Sequence, residues 1–286
     1  MPRIVPYTKN REVIYDLLTR AKRFHSTLST NLDIDVTLVL EAIERARAAG
    51  RNVGFLATLV KATSLVLRKH PRLNHHLFHG LFKKYEVDFE EVACQIVILR
   101  EAPDGEKVLL PIVFPHSDEL SIDEIHASLT HHLTAPLAEL PQVQAVERVK
   151  KMPRLALRYF SYKCRSDHKF YRRYFGTFGL SPLIVEDDGV VKESVLGTSG
   201  HSVVNTGCAF FPFAVGDQPA VVGGEVVPRK TLSMMMAGDH FLVDGHDLFR
   251  AAHYLRLLFA HPGRLGLPLA ANGADGRDAG GADRGE

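Results

Sequence analysis

The sequence predicts an α+β fold in which a mixed central sheet is covered by helices. Helical and strand-like segments follow one another without the regular strand–helix alternation of a doubly wound parallel sheet. The 286 residues suffice for one large domain with a sizeable core. The charged fraction of 24% and the hydrophobic fraction of 45% are ordinary for a globular protein. We therefore expect a folded catalytic or binding domain over residues 1–266, followed by a disordered tail rich in Gly, Ala and Asp over 267–286.

The first elements follow from apolar periodicity. Helical spacing predicts a helix over 9–23, and strict alternation predicts a strand over 28–36. Two helices should follow, one ending at Gly50 and the other covering 55–69. The second stops before Pro71, because proline disfavours a helical residue in front of it.

The middle of the chain predicts a hairpin and a capped helix. Residues 91–99 have the apolar character of a buried strand, and the sequence PDGEK at 103–107 is typical of a hairpin turn. Ser121 and Glu124 have the spacing of a capping box, which predicts a helix over 122–134.

The last part predicts a basic helical stretch, several strands and a final helix. The helical stretch covers 143–175, and an apolar stripe predicts the final helix over 245–260. The strand-like segments are near 175–180, 208–215, 220–228 and 230–238.

Several functional classes are disfavoured by composition. A net charge of +2 does not by itself predict a nucleic-acid partner, and the first residues lack the apolar core of a secretory signal. No apolar run approaches the roughly 20 residues of a membrane-spanning helix. The three cysteines, Cys94, Cys164 and Cys208, are few and widely spaced, as is typical of free thiols in a reducing compartment. We expect a cytoplasmic protein without nucleic-acid or membrane partners.

The segment AGDHFLVDGHDLFR at 237–250 carries the chemistry-bearing residues. His240 stands at the end of a strand-like run, four residues before Asp244. One interpretation is local: Asp244 is a good helix N-cap, and His240 is a strand-end histidine without a chemical role. In the other, the strand-to-turn junction fixes His240 as a base that deprotonates a thiol or hydroxyl, since neutral imidazole is available near pH 7.

Five segments in one order resemble the chloramphenicol acetyltransferase-like fold, closest to the catalytic domain of the dihydrolipoamide acyltransferases of 2-oxoacid dehydrogenases. The resemblance covers about residues 5–262, and the hairpin VVGGEVVPRK before the last segment matches as well. The segments are NREVIYDLL at 10–18, LDIDVTLVLEAI at 32–43, GFLATLVKATSLVLRKHPRLN at 54–74, GTFGLSPL at 176–183 and DHFLVDG at 239–245.

The resemblance implies a mechanism and an assembly. His240 would be the general base on a coenzyme A or dihydrolipoyl thiol, and the Ser181 hydroxyl would stabilise the oxyanion. In the family these two residues meet across a subunit boundary, which implies a homotrimer, and larger assemblies are open. Asp244 would be structural and would pair with Arg11. Coenzyme A or acyl-coenzyme A would be the substrate, while the residues that bind it are unknown.

Some residues depart from the family pattern. Phe241 replaces the arginine that usually follows the histidine, Pro182 follows the serine, and residues 184–206 form a longer polar excursion. No segment resembles a lipoyl domain, so we expect no covalently attached lipoyl group, and we expect coenzyme A rather than tethered lipoamide. The acceptor would be a small molecule or a carrier-bound group. Two alternatives stay open: an inactive trimeric scaffold, and the core of a split dehydrogenase complex.

Two further clusters are expected to have a structural role without chemistry. The basic stretch 148–173 is expected to be a solvated face with its aromatic residues buried beneath it, although it could also meet phosphates, an acyl carrier protein or an anionic membrane. The histidine-rich NHHLFHG at 74–80 is expected to be a loop. Neither it nor the His/Asp group at 239–247 has the spacing of a metal site, so no metal is expected.

Overall fold

A computed structural model describes residues 26–101, 107–181 and 207–269, and the elements below belong to these ranges. Four sequence predictions lie wholly or largely outside them: the helix over 9–23, the hairpin turn at 103–107, the excursion 184–206, and the tail over 267–286, of which only 267–269 are described. Arg11 and Pro182 also lie outside the described residues.

Six strands form one mixed sheet, which confirms the predicted fold class. The strands are β1 Thr27–Asp35, β2 His75–His79, β3 Lys84–Asp88, β4 Cys94–Glu101, β5 Lys107–Phe114, β6 Phe178–Leu180, β7 Cys208–Val222 and β8 Glu225–Asp239. The order in the large sheet is β1-β8-β7-β6-β4-β5, and β6 is parallel to both of its neighbours while the remaining pairs are antiparallel. A separate two-stranded sheet consists of β2 and β3.

The helices agree closely with the predicted boundaries. The helix over 55–69 ends before Pro71, and Ser121 and Glu124 form the predicted capping box, with the Ser121 Oγ accepting from the Glu124 N–H at 3.2 Å. The helices are α1 Thr37–Ala48, α2 Phe55–Lys69, α3 Ile122–Thr134, α4 Pro141–Lys150, α5 Arg154–Ser166, α6 His168–Arg172 and α7 Gly245–Ala260.

The core lies where α2 and α7 pack beside the sheet. Eleven of the fifteen residues of α2 are buried, so this helix is enclosed on most of its circumference. The predicted apolar stripe of α7 is buried through Leu248, Leu255 and Phe259, whereas Phe249 is exposed. Helix α7 follows β8 after the turn at 240–244, and its apolar face packs in the core.

The β7–β8 hairpin corrects the predicted strand boundaries. Instead of short segments at 208–215, 220–228 and 230–238, two strands of 15 residues pair along their whole length. Gly223 and Gly224 form the turn with φ angles of +62° and +91°, the left-handed conformation that a two-residue hairpin turn requires. Pro219 and Pro228 face each other within the hairpin, away from the strands' buried ends.

The prediction of a loop at NHHLFHG is wrong, because His75–His79 forms strand β2. Alternate side chains explain the strand: His76 and Phe78 are buried, whereas His75 and Leu77 are half-buried. The His76 ring is 2.6 Å from the Thr177 carbonyl through Nε2. Histidine at a buried strand position therefore behaves here as an aromatic core residue with one polar contact.

The basic stretch is helical as predicted, but it is divided into α4, α5 and α6. Its aromatic residues are only partly covered: Tyr171 is fully buried, whereas Tyr159 is 63% exposed. The expectation that this face is solvated above buried aromatic side chains is therefore wrong for Tyr159. Among the described helices, none combines the length and the apolar character needed to cross a membrane.

Candidate functional site

The site is built on the turn that joins β8 to α7. Strand β8 ends at Asp239, whose carbonyl accepts from the N–H groups of Leu242 and Val243 at 2.9 and 3.0 Å. The buried Asp239 carboxylate accepts from the N–H groups of Ser26 at 3.2 Å and Phe241 at 3.1 Å. This Asx-type turn fixes the backbone on both sides of residue 240.

His240 is exposed on this turn, and its backbone N–H donates to the Ser26 carbonyl at 2.5 Å. The ring Nδ1 lies 3.0 Å from the Val243 carbonyl oxygen. A carbonyl can only accept, so Nδ1 must carry the hydrogen in this contact. Neutral His240 then has its lone pair on Nε2, which is the arrangement that a general base needs.

Gly238 allows the turn to fold back on β8. A Cβ atom at this position would lie 2.5 Å from Cγ2 of Val243 and 3.4 Å from Cδ2 of Leu248. The first distance is far shorter than normal van der Waals contact, so a side chain at this position would displace Val243. The residue whose carbonyl holds the His240 ring is thus packed directly against the strand.

Asp244 occupies the helix N-cap that the local interpretation predicted. Its Oδ1 accepts from the N–H groups of His246 at 2.9 Å and Asp247 at 3.2 Å, and Asp247 Oδ2 accepts from the Asp244 N–H at 3.1 Å. This reciprocal pair is a capping box that begins α7. The predicted partner Arg11 lies outside the described residues, so the Asp244–Arg11 pair stays a prediction.

Arg72 holds the same turn from the other side, and the sequence argument missed it. Its Nε donates to the Leu242 carbonyl at 2.9 Å and lies 3.7 Å from Asp247 Oδ2. The Arg72 side chain is 66% exposed, so the ion pair is screened and the hydrogen bond to the turn is the firmer contact. Arg72 belongs to the segment at 54–74 that resembles the family. Its hydrogen-bond partner Leu242 is 170 residues further along the chain, so no local sequence pattern indicates this contact.

Burial also affects a second histidine next to this region. Burial lowers the pKa of His70, which lies at the end of α2, and the nearby Arg250 lowers it further while Asp247 opposes the shift. The His70 ring packs edge-on against Tyr254 of α7 with centroids 5.9 Å apart. His70 therefore joins α2 to α7 as a neutral ring.

Ser181 follows β6 in the middle of the sheet and is half-buried. Its N–H donates to the Phe210 carbonyl at 3.0 Å, and Phe210 is paired with Met236 of β8. His240 lies four residues beyond Met236, which corresponds to about 13 Å along the strand, in addition to roughly 10 Å across two strand spacings. The structure therefore does not bring Ser181 and His240 together within one chain.

Two aromatic side chains, one in the turn and one on α7, are largely exposed to solvent. Phe241 is 61% exposed and Phe249, in the first turns of α7, is 69% exposed. Phe241 is one of the departures from the family pattern noted above. In the single chain it projects outward from the turn.

The described ranges contain no cluster of three side chains of the His, Cys, Asp and Glu types that could hold a metal ion. Of the residues at 239–247, Asp239, Asp244 and Asp247 have backbone N–H groups as partners. Their carboxylates therefore serve the turn and the helix start.

Comparisons with known proteins show what the chain is similar to. Residues 2–139 match the model of the 2-oxoacid dehydrogenases acyltransferase catalytic domain. No curated protein sequence matches the chain significantly. The family match thus covers the part of the chain that contains β1 to β5.

The solved structures extend the likeness over nearly the whole chain. The dihydrolipoamide acetyltransferase of Azotobacter vinelandii, described for the role of a serine, a histidine and an asparagine in its catalytic mechanism, is 19% identical. It covers 93% of this chain and 95% of its own, with a TM-score of 0.64. The cubic core of a pyruvate dehydrogenase complex is 18% identical, with coverages of 93% and 95% and a TM-score of 0.61.

A probable dihydrolipoamide acetyltransferase from Listeria monocytogenes gives the same result. It is 14% identical, covers 91% of this chain and 94% of its own, and has a TM-score of 0.59. The fold predicted from the resemblance is therefore confirmed, and so is the resemblance to these acyltransferase catalytic domains.

Proposed function

We propose that this chain, an acyltransferase of the 2-oxoacid dehydrogenase type, moves an acyl group between coenzyme A and an acceptor, with His240 as the general base. One observation carries the proposal: the contact between His240 Nδ1 and the Val243 carbonyl leaves Nε2 as the basic nitrogen on an exposed ring. A histidine that only ended a strand would not need its tautomer fixed in this way.

The chemistry balances with this one base. Nε2 takes the proton of a thiol or hydroxyl, and the resulting thiolate or alkoxide attacks the carbonyl carbon of an acyl thioester. The tetrahedral oxyanion collapses, the bond between carbon and the departing sulfur breaks, and the imidazolium returns its proton to that thiolate. The acyl group is transferred without a covalent enzyme intermediate.

Ser181 would supply the hydroxyl that donates to the oxyanion. Since the register separates Ser181 from His240 within one chain, we propose that the serine of one subunit faces the histidine of its neighbour in a homotrimer. The similar structure is the cubic core of a pyruvate dehydrogenase multienzyme complex, which supports a proposal of contacts between copies of the chain. Donation to an oxyanion typically contributes 10²–10³ in rate, so we expect about that loss without the hydroxyl.

The remaining predicted site residues would position the base. Asp244 begins α7 and so sets the length of the turn, and Arg11 is proposed to pair with it. Arg72 and Asp239 hold the two ends of the same turn through the Leu242 carbonyl and the Phe241 N–H. None of these residues needs to touch the reacting atoms.

Acyl-coenzyme A turnover tests the proposal. Thiol release is followed with acetyl-coenzyme A over a panel of thiol and hydroxyl acceptors, using wild type, His240→Ala and the control His253→Ala on the exposed side of α7. We expect the first substitution to lower kcat about 10³-fold and the control to leave it unchanged. Turnover that survives in H240A would contradict the base, and absence of coenzyme A binding at millimolar concentration by calorimetry would favour the inactive scaffold.

Mixed subunits test the boundary between chains. His240→Ala and Ser181→Ala chains are each inactive in the proposed trimer, but co-refolding them creates interfaces with an intact serine and an intact histidine. Random mixing at equal amounts should restore about one quarter of the wild-type sites. If the mixture is no more active than its components, Ser181 and His240 do not meet across a subunit boundary. Co-purification of a separate lipoyl protein with the active enzyme would indicate the split-complex alternative.

A further inference from the structure

The β2–β3 hairpin exposes two large apolar side chains at its tip. Phe82 is 95% exposed and Leu81 is 74% exposed, although both belong to residue types that folding normally covers. Lys83 and Lys84 follow directly and are exposed as well. An apolar pair in front of two cations therefore projects from this end of the hairpin.

The hairpin is fixed in place by the basic helices. The Tyr85 hydroxyl donates to the Ser166 carbonyl at the end of α5, at 2.8 Å, and the Tyr85 ring packs edge-on against His168 of α6, with centroids 6.0 Å apart. Beneath the tip, Phe78 is fully buried and stacks on Tyr85 with centroids 5.7 Å apart. The hairpin below the tip is therefore held by the end of α5 and by α6.

Helix α5 carries the same combination of side chains on its outer surface. Leu155 is 77% exposed and Tyr159 is 63% exposed, and these two residues lie one turn apart on the helix. Arg154 and Arg158 flank them and are also exposed. Together with the hairpin tip at 81–84, the outer surface of α5 is named here the basic apolar face.

The charge of this region is strongly one-sided. Residues 148–173 contain ten lysines and arginines and one acid, Asp167, which lies 2.7 Å from Lys163. Among the nearby acids, Glu86 and Asp88 of β3 face His75, and Glu91 lies 2.6 Å from Arg172. The whole chain has a net charge of only +2, so the positive charge is concentrated here.

We propose that the basic apolar face binds the surface of an anionic lipid bilayer, with Leu81 and Phe82 inserted among the headgroups. The apolar side chains of the tip stand largely in solvent, and the exposed cations Lys83 and Lys84 follow them directly. Lysine and arginine around an apolar tip match anionic headgroups above acyl chains. The exposed Tyr159 suits the same interfacial zone.

The sequence analysis expected no membrane partner overall but left an anionic membrane open as a partner of the stretch 148–173. The general expectation rested on the lack of a spanning segment, which does not report on a surface-bound helix. The exposure of Leu81 and Phe82, which only the folded hairpin reveals, is the new observation. The proposal does not depend on the acyl-transfer chemistry, since His240 has no part in it.

Vesicle sedimentation with the full chain tests the attachment. We expect binding to phosphatidylcholine vesicles that contain about 30% phosphatidylglycerol, and little binding to pure phosphatidylcholine. Raising the salt from about 0.1 M to about 0.5 M should weaken the binding because exposed charges are screened. The L81S/F82S double variant should bind about tenfold more weakly, while V221S/V222S, at the tip of the other exposed hairpin, should bind like wild type.

The absence of tryptophan from the sequence permits a direct measure of insertion. Phe82→Trp introduces a single tryptophan, whose emission should shift to the blue on anionic vesicles and be quenched by brominated lipids. Val222→Trp should do neither. No binding to anionic vesicles, or equal binding by L81S/F82S, overturns the proposal; a change in oligomeric mass of L81S/F82S without vesicle binding would assign the tip to a contact between copies instead.

Discussion

The Nδ1 atom of His240 lies 3.0 Å from the carbonyl oxygen of Val243, three residues further along the chain. This contact sets the tautomer of the ring with a backbone group, so no buried carboxylate is needed beside the histidine. Val243 is itself held, because its N–H donates to the Asp239 carbonyl and its side chain packs against Gly238. The orientation of the proposed base therefore depends on the tight turn that brings the Val243 carbonyl to the His240 ring.

We predict that Gly238→Ala lowers activity by moving this turn. The added Cβ would lie 2.5 Å from Val243 Cγ2, and relief requires a shift of the residue that holds the His240 ring. Overpacking of this kind costs about 1–3 kcal/mol of stability, and kcat should fall more than KM rises. Urea unfolding and steady-state kinetics measure the two effects.

A second substitution serves as the control for the clash. Val243→Ala removes the atom that the new Cβ would meet, so the G238A/V243A double variant should regain part of the kcat that G238A loses. Losses that simply add in the double variant would show that the two positions do not interact.

Asp244 is predicted to act through its cap as well as through any charge. Asp244→Ala should destabilise the protein by about 0.5–2 kcal/mol, because two N–H groups at the start of α7 lose their acceptor, whereas Asp244→Asn should keep most of that stability. Thermal unfolding of both variants makes the comparison. Full activity in D244N would contradict the proposed pairing with Arg11, because that pairing requires the carboxylate charge.

Much of the fold could be predicted because its signals are local. The capping box of Ser121 and Glu124, the proline at 71 and the apolar stripe after Asp244 each act within a few residues, and the helices they delimit were placed correctly. Strand β2 was missed because its histidines suggested a loop. Their burial depends on residues such as Thr177, a hundred positions away.

The residues of the candidate site also divide into those that a local sequence pattern predicts and those that only the tertiary fold brings in. His240 and the cap at Asp244 were visible in one short segment, whereas Arg72 and Ser26 reach the turn only through the tertiary fold. Ser181 was identified by the resemblance to the family. Its separation from His240 follows from strand register, which periodicity alone does not specify.

Asp123 is predicted to make stability depend on pH in the acid range. Its carboxylate faces Arg51, with Oδ2 2.5 Å from Nη2, and the hydrogen bond from this guanidinium lowers the pKa of Asp123 below its usual value of 3.8. A lowered folded-state pKa adds stability that is complete above the unfolded value and disappears as the pH falls through the folded value. Both side chains are about one-third exposed, so the gain is about 0.5–1 kcal/mol.

The Asp123→Asn variant measures this contribution. The difference in unfolding free energy between wild type and D123N should be greatest at and above pH 5 and should shrink below about pH 4. Urea unfolding at pH 7, 5 and 3 measures this difference, which should be about 0.5–1 kcal/mol at pH 7. A difference at pH 3 as large as that at pH 7 would mean that the Asp123 charge is not its source.

The three cysteines should be unreactive in the folded protein. Burial raises the pKa of Cys164 and of Cys208 to about 12, and burial raises the pKa of Cys94 as well, so almost no thiolate is present at pH 8. We expect Ellman's reagent to label none of them within minutes in native buffer, and all three after unfolding in guanidinium chloride. Fast labelling of one native thiol would contradict this expectation. Cys164, which is half-buried on α5, would be the first candidate, and Cys164→Ser should then abolish the labelling. Because thiolate rather than thiol is the attacking species, the same protection should leave coenzyme A as the main thiol seen when acyl transfer is followed by thiol release.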